Sequence, residues 1–496
     1  MELQLPEIPL LRIFSFLDAF SLLQVGQVNK YWNKVAENDH LWRNLCLRKW
    51  SFSSSRYWCL PMPTWKQFFL SQMRHERRMA SAEPEDFVYK EGTGNLGILG
   101  HMAYLSESCQ PVDRQERSLL CTVSSKRMLY AWDVQEGTII WASPVQPSSI
   151  KFLATLPRLH LAFTVDTEET VKVWNCQYED ALAMLTMPRV SFSVEALLTK
   201  DDPFLMAVPS LCIDVAVVLR FQVGTYEGDI CTLAVPGLEM VSVVNAFNHS
   251  VDLLHCSPDT KWVLAAATHQ HVLPQVFLAE CLLRPAARRT PLSVSLPVSG
   301  CCAACWAPKR ANRVTFMFQR VAFKQTGFTT FDVTSEMIGD TAVIQAHQVA
   351  SFMLPVHMES PARMGVSDGN VIVFDSGPQL LLFTIYGLLL QRFHDHQLSI
   401  CHLWVGSLYV LTTSMDNYLY LYMWEDKGRH PYLKSCCYLE HRRHDQTPSC
   451  PLMMLFSVGS YVSRAICDKA SIVCVVSRNR ESSTLVMYSL NMCYGV

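Results

Sequence analysis

The sequence has little charge of either sign and no long apolar run. Only 17% of its 496 residues are charged, and the two signs nearly cancel to a net charge of −2. This balance argues against nucleic acid or an anionic membrane as the main partner. The longest apolar stretch, 380–390, is about half the roughly 20 residues that a membrane span needs. Because it contains Gly387, it predicts two strands joined by a turn.

The sequence also lacks a basic, apolar leader, since it begins Met-Glu-Leu-Gln. Its nineteen cysteines are scattered, and several lie in apolar segments such as 472–476. Free cysteine packs well as a small apolar side chain, and disulfides are rare inside cells. We therefore expect reduced thiols in a cytoplasmic or nuclear protein.

Residues 5–50 contain more large apolar side chains than a unit of that size can bury. From Leu10 to Asp18 they recur at helical spacing, and Pro9 suits the first position of a helix. A second helix is predicted near Ser21, where Ser-Leu-Leu-Gln has the form of a capping box. The surplus apolar surface must pack against the rest of the chain or against a partner protein.

Taken in order, these residues resemble the F-box, which docks onto the Skp adaptor of cullin-type ubiquitin ligases. The resemblance rests on Leu5-Pro6-Glu7, Leu11, Ile13-Phe14-Ser15-Phe16-Leu17-Asp18, Leu22-Leu23, Val28-Asn29, Trp32 and Leu41-Trp42-Arg43. It implies an adaptor-binding set of nine residues: Leu5, Pro6, Ile8, Leu11, Ile13, Phe14, Leu17, Val28 and Trp32. The chain departs from the family at Ser21, where an acid is common. The alternative is that residues 1–50 are a helical subdomain of some larger fold.

Residues 51–85 are predicted to connect this docking module to a second domain. Thr64-Trp65-Lys66-Gln67 has the form of a capping box, and apolar residues follow it at helical spacing. The arginines near residues 74–78 suit a solvated helix end, where they complement the helix dipole. We expect a helix over 64–80 that acts as a semi-rigid spacer.

From about residue 87 the pattern changes to short β-rich runs separated by turn residues, which is typical of an all-β domain. Met128–Asp133 is echoed by 170–175, and Trp132 and Trp174 lie 42 residues apart, close to the period of WD repeats. Six weaker echoes lie at 228–233, 275–279, 328–332, 381–385, 418–422 and 484–488. These eight candidate third strands predict a propeller of seven or eight four-stranded blades over 86–496.

A ring of blades leaves open edges unless its ends are tied together. The segment Asp86-Phe87-Val88-Tyr89 is suited to supply a strand to the last blade. This region resembles the WD-repeat propeller of the F-box/WD-repeat family, although Gly-His pairs are mostly missing and Gly100-His101 lies within the first blade. The combination of modules resembles the divergent, short mammalian branch of that family. It implies a small all-α F-box and connector helix followed by an all-β propeller.

Three motifs match catalytic or ligand-binding patterns without their required context. Gly92-Thr93-Gly94-Asn95-Leu96-Gly97 matches a dinucleotide fingerprint but precedes a predicted strand rather than a helix. Gly365-Val366-Ser367-Asp368-Gly369 matches a nucleophile elbow but also precedes a strand, so a blade turn is favoured. Cys301, Cys302 and Cys305, and Cys436 and Cys437 with His441 and His444, lack a second pair at zinc-site spacing. We predict no catalytic, cofactor-binding or metal-binding residues.

Three functions remain as hypotheses. The first is a substrate receptor of a Skp-cullin-F-box ubiquitin ligase, with the F-box on the adaptor and an unknown protein substrate on the propeller. The second is a scaffold that uses the same modules without directing degradation, and the third is a hydrolase using Ser367. Phosphorylated motifs are read by clustered arginines, but Arg220, Arg310, Arg313 and Arg363 are scattered, so the sequence assigns no substrate-binding residue.

Overall fold

The structure is a computed structural model that describes most of the chain. It covers residues 5–50, 64–94, 96–106, 117–187, 190–198, 203–210, 228–247, 251–267, 272–284, 291–320, 325–338, 341–416, 418–425, 430–440, 461–468, 471–478 and 482–490. Within these ranges, no helix is both long and apolar enough to cross a bilayer.

Four short helices follow one another before residue 51: α1 (Glu7–Phe14), α2 (Ala19–Val25), α3 (Lys30–Ala36) and α4 (Asp39–Trp50). The carboxylate of Asp18 caps α2 by accepting a hydrogen bond from the Ser21 backbone N–H. Helix α2 therefore begins two residues before Ser21, and the predicted capping box at Ser21 is wrong, because Asp18, three residues upstream of Ser21, accepts from a free N–H group of the first turn. Helix α1 starts at Glu7, so Pro9 lies inside its first turn rather than at its first position.

Helix α5 (Trp65–Ala80) begins where the sequence predicted, since Thr64 Oγ1 accepts a hydrogen bond from the Gln67 backbone N–H. Its apolar face packs on α4: the ring centroids of Phe69 and Trp42 are 5.5 Å apart. The Trp65 backbone N–H donates to Asp39 Oδ1 at 2.8 Å, at the start of α4. Helix α5 thus covers apolar surface of α4.

Thirty-two strands of the described residues form eight four-stranded antiparallel sheets, the blades. Strand β1 (Phe87–Glu91) precedes them all and belongs to the last one. Blade 1 contains β2 (Leu99–Tyr104), β3 (Leu119–Ser124), β4 (Met128–Asp133) and β5 (Thr138–Ala142). Blade 2 contains β6 (Ile150–Leu156), β7 (Leu161–Asp166), β8 (Thr170–Trp174) and β9 (Ala183–Thr186). Blade 3 contains β10 (Val190–Leu198), β11 (Pro203–Ser210), β12 (Gly228–Ala234) and β13 (Glu239–Phe247).

Blades 4 to 7 continue the order. Blade 4 contains β14 (Leu253–Cys256), β15 (Trp262–Ala266), β16 (Gln275–Leu278), a short helix α6 (Ala279–Leu283) and β17 (Ser293–Ser295). Blade 5 contains β18 (Cys301–Ala307), β19 (Arg310–Arg320), β20 (Gln325–Ile338) and β21 (Thr341–Met353). Blade 6 contains β22 (Met364–Val366), β23 (Val371–Ser376), β24 (Gln379–Thr384) and β25 (Leu389–Phe393). Blade 7 contains β26 (Ile400–Val405), β27 (Tyr409–Ser414), β28 (Tyr418–Glu425) and β29 (Tyr432–Glu440).

Blade 8 closes the ring with strands from both ends of the β-rich region. It contains β30 (Tyr461–Cys467), β31 (Ser471–Arg478), β32 (Ser482–Leu490) and, as its fourth strand, β1. Strands β1 and β32 pair antiparallel, with Phe87 opposite Leu490. The prediction that residues 86–89 supply a strand to the last blade is confirmed.

Each of the eight segments predicted as a third strand lies in the third strand of its own blade, namely β4, β8, β12, β16, β20, β24, β28 and β32. The propeller therefore has eight blades. The apolar stretch 380–390 forms parts of β24 and β25 around a turn in which Gly387 has a φ of +85°, as predicted.

The repeat is also visible in buried polar contacts. In blade 1 the indole N–H of Trp132 donates to Thr122 Oγ1 at 3.0 Å, and in blade 2 Trp174 donates to Thr164 Oγ1 at 2.9 Å. All four side chains are buried, so each pair satisfies polar atoms that would otherwise be costly to bury. The same contact at the same register confirms that the two segments are structural repeats.

The chain divides into two compact units, of which the first extends to Ser81 and the second begins at Ala82. Helix α5 belongs to the same unit as α1 to α4. This differs from the predicted boundaries at 50 and 85, because the apolar face of α5 packs on α4 rather than spanning free between domains. Its role as a spacer stays a prediction.

Candidate docking surface

Each of the first three helices has a wide apolar face, and the side chains along its inner edge fill the core between the helices. Leu10, Phe14 and Leu22 are buried. The ring of Phe14 meets that of Trp32 edge to face, with centroids 5.6 Å apart. Phe14 is thus part of the interior of this unit, supporting the predicted adaptor surface from beneath.

The other edge of the apolar faces is exposed. Ile8 is 81% exposed, Val28 61%, Ile13 50% and Leu5 49%. Pro6 is also exposed, while Leu11, Leu17 and Trp32 are partly exposed. Eight of the nine residues that the F-box resemblance implied therefore present some surface, and Phe14 does not.

Two further phenylalanines belong to this exposed surface. Phe16 is 78% exposed and Phe20 68%. Phe16 lies in the turn after α1, and Phe20 lies in the first turn of α2. The F-box resemblance included Phe16 but did not place it in the adaptor-binding set, and the sequence gave no signal for Phe20. We call the exposed apolar set the docking surface: Leu5, Pro6, Ile8, Ile13, Phe16, Phe20 and Val28.

Polar contacts fix the segments that present this surface. The backbone N–H and the side-chain hydroxyl of Ser21 both donate hydrogen bonds to Asp18. They lower the pKa of Asp18 below its ordinary value. Asn29 caps α3 by accepting from the Trp32 backbone N–H, and the Tyr31 hydroxyl donates to the Leu5 carbonyl at 3.2 Å. These polar contacts hold the helix ends in place and do not use the exposed apolar side chains. Those side chains therefore remain available to a partner protein.

A second set of side chains is brought together around the axis of the propeller. First strands of successive blades, from β2 round to β30, contact their neighbours and so surround the central axis. His402 and Arg464 each directly follow a β-bulge in β26 and β30, and His101 lies within the bulge of β2. Arg363 occupies the equivalent position in blade 6, because it lies beside Asp375, one residue before the end of β23. In blade 7, His402 likewise lies opposite Thr413, one residue before the end of β27.

These four residues, which we call the basic arc, influence one another electrostatically. Burial, Arg363 and Arg464 together lower the pKa of His402 to about 4. Burial and then Arg464 lower the pKa of His101, and burial and then Arg363 lower that of Arg464. The two guanidinium groups therefore supply the positive charge at neutral pH, while His402 is neutral. The sequence missed the arc because its members lie in four different blades.

The remaining arginines singled out in the sequence do not join the arc. Arg313 is buried and donates to both carboxylate oxygens of Asp332, and Arg310 lies 3.9 Å from the same carboxylate. Arg220 lies outside the described residues. Arg363 does join the arc, where its Nη1 lies 3.5 Å from Asp375 Oδ2.

The two glycine-rich motifs lie in turns that lead into strands. The segment containing Gly94 and Gly97 precedes β2, and both glycines have positive φ values of +114° and +71°. Ser367 is buried in the turn between β22 and β23, where Gly369 has a φ of +90°. Neither segment begins a helix, so the helix N-terminus that both kinds of site require is missing there.

The cysteines considered as metal ligands lie in strands. Cys301, Cys302 and Cys305 belong to β18, and Cys436 and Cys437 belong to β29. His441 and His444 lie outside the described residues. In the part of the chain that the structure covers, no three or more His, Cys, Asp or Glu side chains form a group suited to a metal ion.

Comparison with known proteins agrees with both modules. An F-box-like family model matches residues 3–48. The chain is 52% identical to human F-box/WD repeat-containing protein 12, over 99% of this chain and 100% of that protein. It is 36% identical to mouse F-box/WD repeat-containing protein 15, over 99% and 100%.

Among solved structures, the protein Sqt1 of Chaetomium thermophilum matches with a TM-score of 0.53 and 11% identity, over 82% of this chain and 98% of that one. That likeness concerns the fold alone. The two relatives cover the whole chain and confirm the resemblance to the mammalian branch that the sequence predicted. This protein belongs to the F-box/WD-repeat family.

Proposed function

We propose that this chain is the substrate-recognition subunit of a Skp-cullin-F-box ubiquitin ligase that acts in the cytoplasm, the nucleus or both. The observation that supports it best is the docking surface, where Ile8, Ile13 and Val28 are exposed although the interior of the unit is already filled. Contiguous exposed apolar surface usually marks a protein interface. The Skp adaptor covers this surface and links the chain to cullin.

The propeller holds the substrate, and the chain itself makes or breaks no bond. Its contribution is proximity, since holding a substrate beside a ubiquitin-charged enzyme replaces a bimolecular encounter. The basic arc, with Arg363 and Arg464, suits an anionic segment of that substrate. Replacing Arg464 by Glu is expected to weaken capture of such substrates, whereas Arg392→Glu, at an exposed position of the outer strand β25, is the matched control.

The test of the proposed function is affinity capture with mass spectrometry. The full chain is compared with a chain that begins at residue 82, because removing only residues 1–50 would uncover the buried side chains Trp65, Phe68 and Phe69 of α5. Adaptor and cullin are expected with the full chain and not with the truncated one, while substrates stay with both. Equal capture of adaptor by the truncated chain contradicts the proposal. Capture of the adaptor by the full chain without cullin favours the scaffold hypothesis instead.

A further inference from the structure

Three tyrosines cluster at one end of blade 7. Tyr418 and Tyr420 project from the same side of β28, two residues apart, and Tyr438 of β29 lies directly opposite Tyr420. The ring centroids form a nearly equilateral triangle with sides of 6.3 Å (Tyr418–Tyr420), 6.0 Å (Tyr418–Tyr438) and 6.0 Å (Tyr420–Tyr438). The interplanar angles of 48°, 73° and 38° show that the rings are tilted against one another rather than stacked.

The tyrosine cluster is open to solvent. Tyr438 is 53% exposed, and Tyr418 and Tyr420 are partly exposed. A cation is attracted to an aromatic ring when it lies within about 6 Å of the centroid. A triangle of this size allows one cation to lie that close to all three rings. Among the described residues, the lysines and arginines that lie over aromatic rings do so elsewhere, at Trp65, Trp50, Trp42 and Trp262.

The surroundings of the cluster are negative. Burial, followed by the nearby carboxylates of Asp395 and Asp416, raises the pKa of Tyr420. The same field that disfavours a negative phenolate favours a positive ligand. The rings of His396 and Tyr420 pack nearly perpendicular to each other, with centroids 4.7 Å apart, and this contact helps to fix the orientation of the tyrosine.

Both carboxylates are already engaged in hydrogen bonds. The Tyr422 hydroxyl donates to Asp395 Oδ2 at 2.6 Å. Asp416 Oδ2 lies 3.0 Å from His396 Nδ1, and its Oδ1 accepts from the Tyr418 backbone N–H at 3.2 Å. Both oxygens of Asp416 and one oxygen of Asp395 are thus already hydrogen-bonded, and the two carboxylates contribute negative potential to the cluster. This suits a cation with no N–H groups to satisfy, since an ordinary ammonium would lose hydrogen bonds to water.

We propose that Tyr418, Tyr420 and Tyr438 form a binding site for a methylated ammonium group, the Nε-trimethyllysine side chain of a bound protein. The inference deepens the proposed function and rests on it for the source of the ligand, because it names a group that a substrate on the propeller presents. The site itself is defined by blade 7 alone.

The test uses the full chain, and ligand binding is measured by ligand-observed saturation-transfer NMR. The probes are free Nε-trimethyllysine, unmodified lysine and the neutral carbon isostere, 2-amino-7,7-dimethyloctanoic acid, in which a tert-butyl group replaces the trimethylammonium. We expect trimethyllysine to bind about 2- to 30-fold more tightly than the isostere, and more tightly than lysine. Equal affinity of the isostere, equal affinity of lysine, or no detectable binding at millimolar concentration each overturns the proposal.

Variants locate the binding on the cluster. Tyr438→Leu is expected to weaken trimethyllysine binding at least about threefold, whereas Tyr438→Phe retains most of it because the ring remains. Tyr89→Leu is the matched control, because Tyr89 is also an exposed tyrosine of a β-strand and packs against the ring of Tyr488, with centroids 5.5 Å apart, outside the cluster. Unchanged binding by Tyr438→Leu contradicts the assignment. Adaptor binding, measured in parallel, is expected to be unaffected, so failure of this site is distinguishable from failure of the proposed function.

Discussion

Phe14 and Ile13 are neighbours in the sequence, yet Phe14 is 3% exposed and Ile13 is 50% exposed. Successive residues of a helix lie about 100° apart around its axis, so a wide apolar face has an inner and an outer edge. In α1 the inner edge packs on Trp32, and the outer edge is available to a partner. The two side chains therefore allow folding and docking to be separated by mutation.

Replacing Ile13 by Glu is expected to abolish adaptor binding without unfolding the chain. An unpaired charge at a buried interface position costs about 2–5 kcal/mol, which is more than tenfold in affinity. Adaptor affinity is measured by calorimetry, and the thermal midpoint by light scattering and fluorescence. Gln24→Glu adds the same charge at an exposed polar position of α2 and is the control. Full affinity of Ile13→Glu contradicts the assignment of the docking surface.

Replacing Phe14 by Ala is expected to act differently, through stability. Removing a buried phenylalanine ring leaves a cavity and costs about 3–5 kcal/mol. The helical unit then becomes susceptible to limited proteolysis, and adaptor binding falls as a consequence. Normal protease resistance combined with lost binding would instead place Phe14 in the interface.

Replacing Thr122 by Val is expected to lower the stability of the propeller. The substitution keeps the shape but removes the acceptor of the buried Trp132 indole N–H, which costs about 1–3 kcal/mol. Thr164→Val in blade 2 is expected to have a similar effect on Trp174. Thr170→Val, at a more exposed position, is the control and is expected to change the thermal midpoint little.

A chain that begins at residue 92 is expected to be less stable than one that begins at residue 82. The shorter chain lacks β1, so β32 loses its partner and becomes an open edge prone to association. Thermal melting and size-exclusion chromatography compare the two. Identical melting and identical monomer fractions would show that closure by β1 is dispensable.

Replacing Glu195 by Gln is expected to stabilise the chain above neutral pH. Burial raises the pKa of Glu195, on β10, to about 7, although a hydrogen bond from the Cys256 backbone opposes the shift. Between its unfolded pKa near 4.5 and 7, the folded state binds more protons than the unfolded state, so stability falls as pH rises through this range. Melting should therefore show a gain of about 3–4 °C for the variant at pH 8 and of about 1 °C or less at pH 5. A pH-independent difference would contradict this titration.

The strands were largely predictable because alternating apolar runs and turn residues are local signals. All eight third strands follow from them, as does the closing strand at Phe87. Helix starts were less certain, since Ser21 and Asp18 compete to cap α2 and the stronger acceptor is an acid that the capping-box pattern does not include. Which edge of α1 faces inward depends on Trp32, a contact that the spacing of apolar residues in α1 does not reveal.

The clusters on the propeller could not be predicted at all. His101 and Arg464 are more than 300 residues apart in the sequence and meet only because the ring closes between blades 8 and 1. The tyrosine cluster needed the register of β28 against β29, which places Tyr438 opposite Tyr420. The basic arc depends on contacts between distant segments, and the tyrosine cluster depends on the register of two consecutive strands, and local sequence patterns encode neither.

The pairing of β1 with β32 also sets the order in which the molecule can be completed. During synthesis the N-terminal helices leave the ribosome first and fold as a unit, whereas blade 8 must wait for the final strand to be translated. Until then β1 lacks the strand it pairs with, and a chain halted by a premature stop codon retains the helical unit while its ring of blades stays open. Under the proposed function, we expect such a fragment to compete with the complete protein for the adaptor while being unable to hold a substrate.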